Sequence, residues 1–413
     1  MVSRRLPARP AKPPKKSSMA RLRAWIWLGP LLGMLAGSPT LTRGPYVQVV
    51  TATSAIVIWQ TAEASDSQIE YGVGDYANSI VDPGPTTEHV LALTGLITGT
   101  TVTYRVFSGG WPLATGSFRT AAAPDQTFRF AVIGDSGIGS AAQQQVANRL
   151  AALAPDLVLH TGDVIYPVGQ ASGYDPFFFQ PYQTLLRQSV VFPTLGNHDY
   201  GTAGGQPYLD AFYLPHNNPA NSEKYYSFDW GNAHFTALDF NDGPSPAQLD
   251  WLQADLAATD KLWKFVFYHQ AIYSSGPHGY EPYLIDKRAV LAPIFEAHQV
   301  DVVFNGHDHD YERTQAINGV IYIVSGGGGA SLYNVNPQPF SAYAESAYHA
   351  VSVDVDRCTL NLQAVKPDGT VFDALTLSKT CVQPTPAPTV TPVPTPAFVP
   401  STLVFLPVLL KEW

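Results

Sequence analysis

Residues 128–135 read FRFAVIGD, an apolar run that ends in Gly134-Asp135. Five further runs of this kind end in or near Gly, Asp, Asn or His: DLVLHTGD, VVFPTLGNHD, HFTALDF, KFVFYH and DVVFNGHDH. Helical stretches over residues 141–153, 248–258 and 284–298 alternate with them. Buried runs that alternate with helices are typical of α/β folds. Together with strand-like segments after Gly319, they predict an α/β layered sandwich of mixed β-sheets with flanking helices that finishes in antiparallel strands.

A different pattern precedes this region, from residue 41 to about residue 120. Apolar and polar residues alternate in short segments such as AIVIW at 55–59 and VTYRV at 102–106, and turn residues recur about every ten positions. This spacing predicts a small antiparallel β-sandwich. The region contains no cluster of ligand residues, so we interpret it as a scaffold. The alternative is a role in binding substrate or a surface.

The two ends of the chain have the composition of targeting and linker segments and not of a folded domain. A basic run over residues 4–23 is followed by 14 mostly apolar residues at 24–37, which is typical of an export signal. An uncleaved membrane anchor is the alternative. Residues 383–413 form a Pro/Thr-rich linker with a short apolar tail. A sorting tag or a docking segment, and with it attachment to the cell surface, are the interpretations open for this tail.

Export predicts an oxidising compartment, in which Cys358 and Cys381 could form one disulfide. The net charge is −9, and eight of the 24 Lys and Arg lie within the first 23 residues. An acidic chain of this kind is not a generic nucleic-acid binder, because such binders need an excess of basic residues. An anionic substrate would need a local positive centre, since the overall field repels it.

Polar side chains follow five of the apolar runs and could supply such a centre. Open α/β sheets bind ligands outside the carboxyl ends of their strands, so these side chains are expected to meet. Carboxylate, amide and phenol oxygens with imidazoles suit iron, manganese or zinc, and their number suffices for two ions if one carboxylate bridges. The segments are Gly134-Asp135-Ser136-Gly137, GDVIY at 162–166, Gly196-Asn197-His198-Asp199, VFYH at 266–269 and Gly306-His307-Asp308-His309.

The order GDxG, GDxxY, GNHD, VxxH and GHxH resembles the calcineurin-like metallophosphoesterases, and within them the purple acid phosphatases. The tyrosine of GDxxY, the residues YER at 311–313 and the segment YYSFDWGNAHFTALD narrow the resemblance. The N-terminal region is similar to a fibronectin-III-like domain, which matches the plant-type architecture. The resemblance covers roughly residues 40–380 and implies a fibronectin-III-like sandwich (39–122) and a metallophosphoesterase catalytic domain (124–382). The composition adds the signal peptide (1–38) before them and the linker with its tail (383–413) after them.

The resemblance also implies a binuclear centre of Fe(III) and a divalent Fe, Zn or Mn. The implied ligands are Asp135, Tyr166 and His309 for Fe(III), Asn197, His269 and His307 for the divalent ion, and Asp163 as the bridge.

Two histidines have implied catalytic roles. His198 would contact phosphate or protonate the leaving alcohol, and His278 occupies the first of two positions where the family places histidines. Gly279 occupies the second, which departs from the family pattern and affects the acid that serves the leaving group and the substrate range.

The remaining polar residues are interpreted as structural. Asp199 and Asp308 are expected to be hydrogen-bond partners of ligand imidazoles, and Gly326–Gly329 to let the backbone pass close to the metal centre. The histidines outside the motifs are His89, His160, His216, His234, His298 and His349.

The function predicted is that of a secreted acid phosphatase that hydrolyses small phosphate monoesters through attack of a metal-bound hydroxide. The alternative is a phosphodiesterase of the same fold acting on nucleotides or phospholipid headgroups, for which Gly279 would leave room. The third hypothesis is a non-catalytic surface-binding protein. The physiological ester, the divalent metal and the oligomeric state are left open by the sequence.

Overall fold

The computed structural model describes residues 37–241 and 243–381. The predicted export signal, up to residue 36, and the predicted linker and tail lie outside the described residues. No helix among the described residues combines the length and the apolar character needed to cross a membrane.

The N-terminal region is all-β, as predicted. Its strands alternate buried and exposed residues; in β4, for example, Val102, Tyr104 and Val106 are buried. All its pairings are antiparallel. The strands are β1 Leu41–Gln48, β2 Ser54–Gly72, β3 Asn78–Thr94, β4 Thr101–Ser108 and β5 Trp111–Arg119. The assignment of this region to the fibronectin-III type stays a prediction.

A six-stranded mixed sheet follows, in the order β18-β17-β16-β6-β7-β8. Strands β6, β7 and β8 are parallel to one another, and the last three strands of the chain complete the sheet in antiparallel pairing. Its strands are β6 Phe128–Ile133, β7 Leu157–His160, β8 Val190–Pro193, β16 Ala350–Asp356, β17 Thr359–Val365 and β18 Val371–Ser378.

A second mixed sheet has seven strands in the order β15-β13-β14-β12-β11-β10-β9. The four central strands, β14, β12, β11 and β10, are parallel to their neighbours within this group. The outer strands β15, β13 and β9 pair in the antiparallel direction. Its strands are β9 Tyr226–Trp230, β10 Ala233–Ala237, β11 Trp263–Gln270, β12 Val302–Gly306, β13 Tyr311–Thr314, β14 Ile321–Ser325 and β15 Ser341–Glu345.

The two mixed sheets pack face to face through aromatic side chains. The ring of Phe130 in β6 lies 5.3 Å from Phe235, 5.0 Å from Phe265 and 5.9 Å from Phe304, which belong to three strands of the other sheet. Aromatic pairs at these separations contribute beyond the area that they bury. This common core fixes the relative position of the strand ends that carry the polar motifs.

Helices cover the outer faces of both sheets. Val146 and Leu150 of α1 join the core of the six-stranded sheet, whereas Leu252 of α4 and Leu291 and Phe295 of α5 pack on the seven-stranded sheet. The helices are α1 Ala141–Leu153, α2 Gln183–Leu186, α3 Gln206–Ala211, α4 Pro246–Ala258 and α5 Pro282–Ala297. Short helical turns occupy Ala171–Gly173, Asp175–Phe179, Asp199–Gly201, Ala203–Gly205 and Pro277–Tyr280. The result is the predicted layered sandwich, with helices outside two mixed sheets.

The two cysteines are paired, as the oxidising-compartment hypothesis allowed. Cys358 and Cys381 form a disulfide with a Cα–Cα distance of 5.6 Å. It joins the turn after β16 to the end of the described chain.

Candidate metal centre

The predicted metal ligands come from the carboxyl ends of parallel strands in both sheets. The six-stranded sheet supplies Asp135 after β6, Asp163 and Tyr166 after β7, and Asn197 after β8, and the seven-stranded sheet supplies the histidines at the ends of β11 and β12. The two sheets face each other, so their strand ends meet at one place. The structure brings all seven predicted ligands together.

Tight turns carry three of these residues away from their strands. Asp135 (φ 57°), Asp163 (φ 51°) and His307 (φ 71°) all adopt the left-handed region that non-glycine residues rarely occupy. Such strain persists where the surroundings over-determine it and is concentrated at functional sites. It marks the strand ends as positions built for their side chains.

Glycines let neighbouring loops approach the two carboxylates. A Cβ atom on Gly196 would lie 2.0 Å from Oδ1 of Asp163, and one on Gly306 would lie 2.4 Å from Oδ2 of Asp135. Only glycine fits at these two positions.

Backbone amides hold one oxygen of each carboxylate. His307 N–H donates to Oδ2 of Asp135 (3.0 Å), and His198 N–H donates to Oδ1 of Asp163 (2.9 Å). Both carboxylates are buried. Their other oxygens face the imidazole of His269, whose Nε2 is 4.0 Å from Oδ1 of Asp135 and 3.3 Å from Oδ2 of Asp163. Each carboxylate is thus fixed by one oxygen and presents the other to the centre of the cluster.

The first half of the cluster consists of Tyr166, Asp135 and His309. The Tyr166 hydroxyl is 3.1 Å from Oδ1 of Asp135 and 3.1 Å from Nε2 of His309, and that nitrogen is 3.5 Å from the same carboxylate oxygen. This is the trio assigned to Fe(III) by the resemblance.

The second half consists of His269, Asn197 and His307. Nε2 of His269 is 3.0 Å from Oδ1 of Asn197 and 3.2 Å from Nδ1 of His307. The same Nε2 lies 3.3 Å from Oδ2 of Asp163. Asp163 also interacts with the Tyr166 hydroxyl, so it contacts both halves and has the position that a bridging carboxylate requires.

Two of the histidines are oriented as metal ligands usually are. Nδ1 of His269 donates to the carbonyl of Thr161 (2.9 Å), and Nδ1 of His309 donates to the carbonyl of Ser331 (2.8 Å). A metal-binding imidazole typically places its other ring nitrogen on such an acceptor, which leaves the ligating nitrogen free. Within the described residues, no Lys or Arg hydrogen-bonds or ion-pairs with any of the seven side chains. The donor set fits a pair of hard or borderline cations.

Electrostatics in the cluster favour a cation as well. Burial, together with Asp135 and Asp163, raises the pKa of Tyr166 well above its ordinary value. Burial opposes ionisation of Asp163, but His269 and His198 outweigh it and lower the pKa of that carboxyl. Burial likewise opposes the charged form of His269, yet Asp163 and Asp135 raise its pKa to about 9. The two buried carboxylates therefore favour positive charge on His269, whereas burial and the neighbouring His269 and His278 lower the pKa of His307 to about 3.

The two predicted catalytic histidines flank the cluster. Nε2 of His198 is 3.9 Å from Oδ2 of Asp163, and its Nδ1 donates to the carbonyl of Pro167 (2.6 Å). The His278 ring lies 4.1 Å from that of His307. Both imidazoles are partly exposed, with 38% and 28% of their side-chain surface accessible, so a substrate can reach them.

The two motif aspartates have partners that differ from the expectation. Asp199 accepts hydrogen bonds from the amides of Gly196, Val164 and Ile165, not from a ligand imidazole. Its carboxylate thus bonds both to the start of its own turn after β8 and to the turn that follows β7. Burial and the nearby Asp163 raise its pKa to about 7. It ties together the two loops that carry Asp163 and Asn197.

Asp308 does pair with an imidazole, but with that of His278. Its Oδ1 accepts from Nδ1 (2.7 Å) and from the backbone N–H (3.1 Å) of His278. The hydrogen bond to Asp308 raises the pKa of His278. Asp308 thus orients a predicted catalytic group.

Gly279 does not open the site, which corrects the argument for a second ester substituent. The residue is buried, and a Cβ on it would lie 1.9 Å from the carbonyl oxygen of Ser274. The space that a side chain would need is filled by the protein's own loop. The glycine run behaves as expected: a Cβ on Gly328 would lie 2.2 Å from the carbonyl oxygen of Gly134, beside the cluster.

Four of the histidines outside the motifs are buried and hydrogen-bonded, in agreement with the structural interpretation. His89 contacts Thr61 and Ser67, and His234 contacts two aspartates. The other two, His160 and His349, each meet a serine hydroxyl.

Sequence reasoning missed one aromatic neighbour of the cluster. The ring of Tyr333 stacks on that of His309, with 4.1 Å between centroids and 12° between planes. It lies in the irregular segment after the glycine run, where no periodic pattern singles it out.

Comparison with known proteins agrees with this geometry. Residues 128–311 match the family model for the calcineurin-like phosphoesterases. The chain is 29% identical to the probable inactive purple acid phosphatase 1 of Arabidopsis thaliana, over 54% of this chain and 43% of that protein. It is 27% identical to purple acid phosphatase 3 of the same plant, over 51% of this chain and 65% of the relative. The matches thus span less than two thirds of these relatives' length.

Solved structures share the fold. Purple acid phosphatase PPD1 from yellow lupin seeds has a TM-score of 0.68 at 22% identity, covering 85% of this chain and 77% of the other. PhoD has a TM-score of 0.64 at 14% identity, covering 85% and 94%. These likenesses confirm the predicted fold of mixed sheets with flanking helices, and the matches agree with the predicted enzyme class, a phosphoesterase. Over residues 128–311, the chain is thus similar to the calcineurin-like phosphoesterases.

Proposed function

We propose that this protein is a secreted acid phosphatase that hydrolyses phosphate monoesters at a binuclear metal centre. The observation that carries the proposal is the meeting of seven oxygen and imidazole donors from two sheets, two of which are buried carboxylates. The purple acid phosphatase relatives support the same conclusion.

The assignment of ligands follows the two halves of the cluster. Two bound cations would neutralise the phosphate oxygens and activate water as the nucleophile. Asp135, Tyr166 and His309 would hold Fe(III), Asn197, His269 and His307 the divalent ion, and Asp163 both.

The two flanking histidines, His198 and His278, would contact the phosphate group and protonate the leaving oxygen. Asp308 occupies Nδ1 of His278, so Nε2–H of this ring is available to protonate the departing ester oxygen. The carbonyl of Pro167 likewise accepts from Nδ1–H of His198, which directs Nε2 of that ring at the cluster, where it can donate to a phosphate oxygen when the ring carries its second proton. The hydrogen bond at Nδ1 fixes the orientation of each imidazole, so these side chains need little rearrangement during the reaction.

Metal analysis, a visible spectrum and an assay on p-nitrophenyl phosphate from pH 4 to 8 test the proposal. We expect about two metal ions per chain, iron among them, and turnover highest on the acidic side. Asp163→Ala should lose metal and activity together, whereas Asp260→Ala, at an exposed position, should keep both. Absent turnover in the metal-loaded protein would favour the non-catalytic hypothesis, and a colourless, iron-free active protein would refute the iron assignment.

The phosphodiesterase alternative loses its motivation, since Gly279 is packed against Ser274 and its lack of a side chain does not create room for a second ester substituent. Assaying bis(p-nitrophenyl) phosphate on the same preparation tests this directly. A diester rate above the monoester rate would overturn the choice.

Secretion and the domain boundaries are part of the proposal. The disulfide between Cys358 and Cys381 supports an oxidising compartment. We assign residues 39–122 to a fibronectin-III-like scaffold and 124–382 to the catalytic domain. Fractionation of producing cells should recover the protein outside the cytoplasm.

A further inference from the structure

Tyr333 forms one wall beside the metal-ligand cluster. Its backbone N–H donates to the carbonyl of His309 (2.9 Å), and its ring stacks on the His309 imidazole. The ring centroid of Tyr333 lies 5.7 Å from that of His278. The side chain is half-buried, so one face is covered by His309 while part of the ring stays accessible beside His278.

The leaving group of a bound ester would lie against this wall. His278 is assigned the protonation of the leaving oxygen, so the group attached to that oxygen must lie beside the His278 ring. Aromatic rings attract each other at centroid distances of about 4.5–7 Å. An aromatic leaving group next to His278 is therefore within stacking range of Tyr333.

The described ligand cluster has no Lys or Arg contact that would bind additional phosphate groups on the leaving group. Within the part of the chain that the structure describes, no Lys or Arg hydrogen-bonds or ion-pairs with any of the seven ligand side chains, and three of the basic residues have partners elsewhere. Arg313 pairs with Asp373, Lys224 donates to the hydroxyl of Tyr200, and Arg288 donates to the carbonyl of Ile272. The whole chain is also acidic, with a net charge of −9.

We propose that Tyr333 determines substrate specificity, and that the preferred substrates are monoesters with one phosphate and an uncharged aromatic leaving group. This inference rests on the proposed phosphatase function. It selects among phosphate monoesters by two features of this chain, the aromatic wall and the absence of Lys or Arg contacts at the described site.

Inhibition by phosphonates separates binding of the aromatic ring from the intrinsic reactivity of aryl esters. Phenylphosphonate should inhibit the metal-loaded enzyme about 3- to 10-fold more strongly than methylphosphonate, the range expected for one aromatic contact. Tyr333→Leu should abolish this preference by weakening phenylphosphonate alone, whereas Tyr333→Phe and Tyr333→Trp should retain it. Equal inhibition of the wild-type enzyme by the two phosphonates would overturn the proposal.

Metal content distinguishes a specificity role from a packing role, because Tyr333 touches His309. If Tyr333→Leu loses metal and weakens both phosphonates equally, the residue supports the ligand and the proposal fails. For substrates, we expect kcat/KM for phenyl phosphate to exceed that for inositol hexakisphosphate at least tenfold, and the reverse order would also overturn it. A wild-type enzyme that hydrolyses no ester at all would instead refute the underlying phosphatase function.

Discussion

The hydroxyl of Tyr166 lies 3.1 Å from Oδ1 of Asp135, and both side chains are buried. A phenol beside an anion in a buried site resists ionisation, and the pKa of Tyr166 is accordingly raised well above its ordinary value by burial and by the carboxylates. Only a cation held by the same two groups would reverse this preference and stabilise the phenolate.

Tyr166→Phe therefore tests the first half of the cluster. We expect loss of the visible absorbance that a phenolate on Fe(III) gives and weaker iron retention, by on the order of 100-fold, since even indirect partners of a metal contribute 10- to 100-fold. Iron titration followed by visible spectroscopy measures both. The matched control is Tyr76→Phe, because Tyr76 is exposed in the turn between β2 and β3 of the N-terminal region. A Phe variant with unchanged absorbance would remove Tyr166 from the ligand set.

Asp199→Ala should loosen two ligand loops at once. The carboxylate accepts three buried amide hydrogen bonds, from Gly196, Val164 and Ile165. A hydrogen bond to a charged group contributes about 1.5–3 kcal/mol, and the unpaired amides add their own cost. At pH 8, above the raised pKa of about 7 of Asp199, we expect a loss of about 3 kcal/mol in the free energy of unfolding, measured by urea denaturation, and lower metal occupancy. Asp199→Asn should lose less, and an Ala variant as stable as the wild type would contradict this role.

Most of the framework could be predicted from sequence, because strand-end motifs and helix signals are local. The helix at Ala141–Leu153 was predicted with its observed limits, and Ser140 caps it by accepting a hydrogen bond from Gln143 N–H. The other two predicted helices begin two residues earlier than expected, at Pro246 and Pro282. Proline at the first helical position is favourable, a signal that the apolar pattern alone does not contain.

What the sequence could not provide are contacts set by loop conformation. Whether Asp308 faces a ligand imidazole or His278 depends on how the loop before α5 folds back. The buried position of Gly279 depends on the same loop. Tyr333 reaches His309 through a backbone hydrogen bond across 24 positions, and no periodicity links the two residues.

Removing the disulfide should lower stability without touching the site. Cys358 and Cys381 are 23 positions apart, and closing a loop of this size stabilises a protein by about 3 kcal/mol in the chain-entropy account. The double variant Cys358→Ser/Cys381→Ser should melt at a lower temperature and still bind metal. A reductant should lower the melting temperature of the wild type towards that of the variant and leave the variant unchanged. If the wild type carries two free thiols by alkylation, the pairing is wrong.

His234 should make stability depend on pH far from the metal centre. Its ring is buried, with Nδ1 2.8 Å from Asp229 and Nε2 2.9 Å from Asp255. Burial opposes the charged form, but the two aspartates raise the pKa of His234 to about 9. Because the pKa of His234 in the folded protein exceeds the ordinary value of about 6.5, the stabilisation is complete below pH 6.5 and disappears as the pH rises through 9.

We expect His234→Gln to lose about 3 kcal/mol of unfolding free energy at pH 6, from about 1.4 kcal/mol for each unit of pKa, and much less at pH 9.5. Urea denaturation at both pH values measures this, with the exposed His216→Gln as control. An equal loss at both pH values would mean that His234 acts by packing and not by charge.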